Sequence, residues 1–137
     1  MKQISLLTLV ILAIGCTPPS KEEIRLGQYK VQGQRLYMIH CGNCHLNEGQ
    51  GLAKVYPPIA GSDYLEANLD KILCGMRNGM KGEIVVNGVT YNQEMPGFEK
   101  LTDLEVAEIA TYIYNSWGND YGLIDVSYVT DKKANCN

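Results

Sequence analysis

Two cysteines separated by two residues and followed at once by a histidine, Cys41-Gly42-Asn43-Cys44-His45, constrain this chain more than any other feature. The order suits one chemistry. Two thiols at this spacing can each add across a haem vinyl group to form thioethers, and the adjoining imidazole then lies beneath the iron. A C-x-x-C pair without the histidine would serve equally for zinc or for dithiol exchange. The reading is therefore one covalent haem c, with iron, held by Cys41 and Cys44 and ligated by His45. In a chain of 137 residues the porphyrin would be the largest apolar component of the core.

The opposite iron ligand follows by elimination. The one other histidine, His40, adjoins Cys41 on the proximal side and reads as a partly exposed helix residue that does not easily reach across the porphyrin, so the reading turns from a second imidazole to a thioether. Of the five methionines, Met1 begins a leader segment and Met38 precedes the motif on its own helix, where it reads as core. Met76 and Met80 lie near a glycine-rich bend and read as packing against the ring. Met95 stands in Gln93-Glu94-Met95-Pro96-Gly97-Phe98, where Pro96 restricts the residue before it to extended geometry and stiffens the segment. Met95 is the expected thioether ligand, with Met80 its rival. If Met95 only packs on the ring, the iron keeps an open site, and a haem enzyme or gas sensor becomes the alternative.

Local patterns predict a mostly α fold with one small hairpin. A helix is expected from Ile24 to His40, with Gly33, Tyr37 and Cys41 four residues apart on one face. Asn47 to Gly61 reads as a loop. Asp63 to Cys74 reads as a helix capped by Asp63, with Leu65, Leu69, Ile72 and Leu73 as its apolar stripe and Gly75 as its stop. Val86-Asn87-Gly88-Val89 predicts a type I′ hairpin within 84–91. Thr102-Asp103-Leu104-Glu105 is a capping box, with Leu101 placed to staple Val106. That helix is expected to pack Leu104, Ile109, Tyr112, Ile113 and Trp117, leave Tyr114 at the surface and end at Gly118. Beyond it the pattern weakens. Ile124 to Val129 reads as extended, and Lys132-Lys133 as solvated tail.

Residues 1–15 read as a targeting leader, because Ile4 to Ile14 is too short to span a bilayer. The segment Leu12-Ala13-Ile14-Gly15-Cys16 resembles a bacterial lipobox, which implies cleavage before Cys16 and a lipid on that cysteine. Residues 16–26 are then a tether, 27–119 the haem domain and 120–137 a tail. The two remaining thiols, Cys74 and Cys136, are candidates for a disulfide in an exported, oxidising setting. Twelve Lys and Arg against fifteen Asp and Glu, scattered along the chain, offer no nucleic-acid surface.

The haem motif, the Pro57-to-Leu65 run, the Val86-to-Phe98 run and the Leu101-to-Asn119 segment together resemble a class I cytochrome c domain. The resemblance runs from about Gln28 to Asn119. It is nearest the small modules that accompany bacterial quinoprotein dehydrogenases, nitrite reductases and terminal oxidases. It implies three or more helices wrapped round the haem, with Gly33 and Tyr37 meeting Ile109 and Tyr112. It also implies a proline carbonyl that accepts the free N–H of the proximal imidazole, a role that falls to Pro57. The implied function is single-electron transfer through a six-coordinate His/Met haem. Partners would be redox proteins such as a dehydrogenase, a reductase or a terminal oxidase, with no small-molecule substrate. The implied location is a bacterial membrane surface, outside the cytoplasm.

Overall fold

The computed structural model describes residues 18–136, so Cys16 and the stretch expected to be a leader, residues 1–15, lie outside the described residues. Six helices and one hairpin follow in chain order. They are α1 (Lys21–His40), α2 (Gly42–His45), α3 (Asp63–Ala67), α4 (Leu69–Asn78), β1 (Ile84–Val86), β2 (Val89–Tyr91), α5 (Asp103–Ile113) and α6 (Val126–Lys133).

The core forms where α1 crosses α5. Gly33 permits the crossing: a Cβ added there would stand 2.8 Å from Cβ of Tyr112 and collide with the carbonyl of Glu108. Tyr37 follows one turn later, wholly buried, with its ring 5.5 Å from that of Tyr112. Val106, Ile109, Ala110 and Ile113 complete the buried face of α5. Both long helices start on reciprocal capping boxes, Ser20 with Glu23 and Thr102 with Glu105. The Ser20 cap places residues 21–23 in α1 although the sequence pattern begins at Ile24. The first six residues of α1 thus fall in the stretch read as tether.

The helix expected from Asp63 to Cys74 is two helices. Asn68 interrupts it, its backbone leaving the helical region while its side-chain amide donates to the carbonyl of Tyr64 at 2.8 Å. Ser62, not Asp63, supplies the cap, accepting from the N–H of Leu65 at 3.1 Å. The Asp63 carboxylate turns outward and accepts from the N–H of Asn87 at 2.8 Å, while the Asn87 side chain accepts from the N–H of Asp63 at 3.1 Å. This clasp holds the hairpin on α3. The hairpin has the expected register, Val86 opposite Val89, with Asn87 and Gly88 at φ 51° and 76° as a type I′ turn needs. Gly75 lies buried within α4, which runs on to Asn78.

Helix α5 ends at Ile113, five residues short of Gly118, because polar side chains take its last carbonyls. Asn115 donates to Thr111, Ser116 to Tyr112 and Asn119 to Ile113. Trp117 therefore lies beyond the helix at φ 55°, with its ring set edge-on to Tyr37 and Tyr112 at 5.4 and 5.5 Å. Leu104 and Met38 point to solvent, not into the core. Tyr114 is buried and its hydroxyl donates to the carbonyl of Leu65 at 2.7 Å.

The tail differs most from expectation. Residues 126–133 form a helix, not an extended segment, started by Asp125, whose carboxylate accepts from the N–H of Ser127 at 2.8 Å. Val129 and Ile124 are buried beneath it. Lys132 pairs with Asp70 and Lys133 with Asp103, so neither lysine is free tail. Asp125 pairs with Arg25 of α1. A single buried residue in eight gives no helical period to read, since the segment is held by polar contacts instead.

Candidate haem site

Cys41 closes α1, and its carbonyl accepts from the N–H groups of Cys44 and His45, which turns the motif into the short α2. The hydroxyl of Tyr37 donates to the carbonyl of Leu46 at 2.7 Å and fixes where the motif leaves the core. Cys41, Cys44 and His45 all face one apolar cavity. Its other walls come from Ile59 and Leu65, from Met76 on α4, from Ile84, Val86 and Tyr91 of the hairpin, and from Ile109 and Ile113 of α5. Met80 and Met95 close the side formed by the bend and the segment before α5. The space between these atoms, including its open mouth, is about 1020 Å³.

The donor set fits haem c. Both thiols are free of any disulfide. Nδ1 of His45 lies 2.9 Å from the carbonyl of Pro57, to which it donates as the N–H tautomer, leaving Nε2 as the unprotonated nitrogen. Burial lowers the pKa of His45, opposed by the Pro57 bond, so the ring is neutral near pH 7 and its lone pair is available. Burial pushes the Cys41 thiol up to about 12, with Cys44 adding to the effect. Such a thiol is a poor exposed nucleophile and a poor zinc ligand. Among the described residues no three His, Cys, Asp or Glu side chains converge as a metal-ion site.

Met80 and Met95 are closer together than the sequence showed, each backbone N–H bonding the other's carbonyl at 2.9 Å. Their side chains differ in surroundings. A Cβ added at Gly75 would lie 2.6 Å from Cγ and 2.8 Å from Sδ of Met80, so that side chain is laid against α4. Cys74 and Cys136 form a disulfide, with Cα atoms 5.3 Å apart. Sequence reasoning missed Arg77. Only 7 % exposed, it donates to the carbonyl of Leu101 at 2.7 Å and pairs with Asp103. An arginine four residues after a leucine on an apolar helix face is the one signal that could have marked it.

Helices wrapped round an apolar cavity edged by two thiols and a neutral imidazole define a covalent haem c protein of the class I cytochrome c type. Residues 30–113 match the family of cytochrome c oxidase, cbb3-type, subunit III, and the chain belongs to that family. It is 32 % identical over 94 residues to cytochrome c-552 of Thermus thermophilus, an alignment covering 66 % of this chain and 71 % of that one. A second cytochrome c-552 from the same species is covered over 63 % of its length. The cytochrome c subunit of a quinone alcohol dehydrogenase from Gluconobacter oxydans is 30 % identical over 91 residues, 64 % of this chain but 19 % of that one. Cytochrome c-554(548) of Halomonas halodenitrificans is 32 % identical over 53 % of this chain and 78 % of its own. The protein is accordingly an electron-transfer haem protein with covalent haem c.

Proposed function

We propose that this cytochrome is a membrane-tethered carrier that passes single electrons between redox proteins through a His/Met-ligated haem. The observation that carries the reading is the placement of His45, Cys41, Cys44 and Met95 on the walls of one apolar cavity, with Nδ1 of His45 already bonded to Pro57. Haem c, when bound, supplies the one-electron chemistry. Cys41 and Cys44 would hold it by thioethers, and His45 and Met95 would fill the two axial positions. Pro57 orients the imidazole and strengthens it as a donor. The apolar walls exclude water and, with the soft thioether, favour the reduced state. With both axial positions filled no site remains for a substrate, which makes a carrier and not an enzyme. Met95 is preferred to Met80 because the Met80 side chain already packs on Gly75.

Tethering would come through lipid on Cys16, the cysteine that ends the lipobox-like segment Leu12 to Cys16. The Ser20 cap leaves a link of four residues between Cys16 and the fold. Fully extended it reaches about 14 Å, which would keep the haem domain against the membrane surface. Donors and acceptors would then be redox proteins at that surface, such as a dehydrogenase, a reductase or a terminal oxidase. The alcohol dehydrogenase subunit among the relatives lends support to the first.

Optical spectroscopy of the matured holoprotein tests the ligands. The charge-transfer band of methionine-to-ferric-iron coordination is expected in the parent protein and in Met80→Ala, and is expected to vanish in Met95→Ala. Avid carbon monoxide capture by the reduced parent protein would instead establish an open distal site. Radiolabelled palmitate incorporation that survives Cys16→Ser would remove the anchor.

A further inference from the structure

We propose that α6, bonded to α4 through Cys74–Cys136, works with Asp103 and Arg77 as a clamp that holds the Met95 segment against the cavity. The proposal rests on the reading of Met95 as the distal ligand. Residues 92–102 contain no helix and no strand beyond one bridge, so other contacts must hold Met95 in place. The N–H of Phe98 bonds the carbonyl of Met76 at 3.0 Å, and Gly97 lies flat on the end of α4, where an added Cβ would stand 2.5 Å from the amide nitrogen of Gly79. These contacts secure the middle of the segment to α4. Its far end is secured by Arg77, whose buried guanidinium reaches from α4 to the carbonyl of Leu101 at 2.7 Å and to Asp103.

A buried guanidinium keeps this geometry only while its counter-charge stays in place. Asp103 is fixed from the other side by α6. Its carboxylate accepts from the hydroxyl of Thr130 at 2.9 Å and from Nζ of Lys133 at 3.3 Å. The end of α6 returns to α4 at Cys74, three residues before Arg77. The links therefore close a circuit: Arg77 to Asp103, Asp103 to α6, α6 through Cys136 to Cys74, and α4 back to Arg77. Arg77, Asp103, Cys74 and Cys136 are positioning residues for the distal ligand. None of the four lines the cavity, and they act by limiting how far the segment can swing outward.

The test measures distal-ligand exchange in the holoprotein. Cyanide binding to the ferric form requires the methionine to leave, so its rate reports opening of the segment. Arg77→Lys and Asp103→Asn each break a charged hydrogen bond and are expected to speed binding about tenfold. Cys74→Ala/Cys136→Ala is expected to move the rate in the same direction. Hydrogen exchange at the amides of Met80 and Met95 should accelerate in parallel while exchange in the middle of α5 does not. Ser20→Ala, which removes the α1 capping box and none of the circuit's links, should lower global stability and leave the cyanide rate unchanged. The variants act on both sides of the Arg77–Asp103 pair and, separately, on the disulfide, so the test stands if any one fails to mature. Parent-like cyanide rates in the maturing variants overturn the clamp. Absence of the methionine band from the parent protein overturns the ligand reading instead.

Discussion

Gly33→Ala and Gly27→Ala make the same chemical change in the same helix and should shift stability in opposite directions. Alanine is favoured over glycine in a helix interior by about 0.8–1.0 kcal/mol, because it has less backbone freedom to lose. Gly27 is exposed, with nothing within 4 Å of an added Cβ, so that gain should be realised in full. At Gly33 the added carbon would lie 2.6 Å from the carbonyl carbon of Glu108 and 2.8 Å from Cβ of Tyr112. Two of the atoms in the way are backbone of α5, which no rotamer change can move. The helices must separate, and the contacts around Tyr37 and Ile109, 0 % and 1 % exposed, loosen together. Overpacking of this kind costs about 1–3 kcal/mol, and a rigid obstacle places it at the upper end. Net of the propensity gain, Gly33→Ala should lose about 2 kcal/mol and Gly27→Ala should gain up to about 1. For a domain of this size that is roughly 8 °C down against 4 °C up in Tm. Thermal melts of the two holoproteins, followed by far-ultraviolet circular dichroism and by haem absorbance, provide the comparison. A Gly33→Ala protein as stable as Gly27→Ala would refute the close α1–α5 crossing on which the core is built.

Tyr114→Phe removes a buried hydroxyl that donates to the carbonyl of Leu65, and leaving that acceptor unpaired should cost about 1–2 kcal/mol in urea unfolding; a loss below about 0.3 kcal/mol would mean that the carbonyl finds another partner. The carboxyls of Asp70, Asp103 and Asp125 titrate below their ordinary value, chiefly through hydrogen bonds from Tyr128, Thr130 and Ser127 respectively. A lowered folded-state pKa stabilises fully above the unfolded value of about 3.9 and loses that contribution as pH falls through the lowered value. Amide protection in α6 should accordingly hold at neutral pH and weaken below about pH 4, and protection unchanged down to about pH 2 would assign α6 docking to Val129 and the disulfide alone. Cys41→Ala/Cys44→Ala protein made without haem should lack cooperative thermal unfolding, because the cavity walls would then face water; a sharp native-like transition by circular dichroism would contradict this.

Legibility followed the range of the interaction. The Thr102 capping box, the Asn87-Gly88 turn and the haem motif are local patterns, complete within a few residues, and each stands where the sequence placed it. The Ser20 box is equally local, a serine three residues before a glutamate, but it lies ahead of the apolar period that begins at Ile24. The break at Asn68 was hidden by an uninterrupted apolar stripe, because an asparagine side chain bonding backward one turn leaves no trace in hydrophobic period. Tyr114 is buried and Trp117 packs on the core from beyond the helix because α5 stops at Ile113, a boundary set by three polar side chains whose partners sequence alone does not name.

The order of residues by itself pointed to the chemistry of this protein: two thiols and an imidazole at this spacing suit covalent haem attachment. It also determined the helix starts and the hairpin, where every interacting group lies within one turn of its partner. Tertiary structure alone decided that Pro57 meets His45, that Met80 and Met95 stand side by side, and that Arg77, Asp103 and the C-terminal helix meet around the Met95 segment. Those pairs lie 12 to 27 residues apart. Their geometry depends on how α1 crosses α5, and a crossing enforced by the missing side chain of Gly33 becomes visible only once both helices are in place.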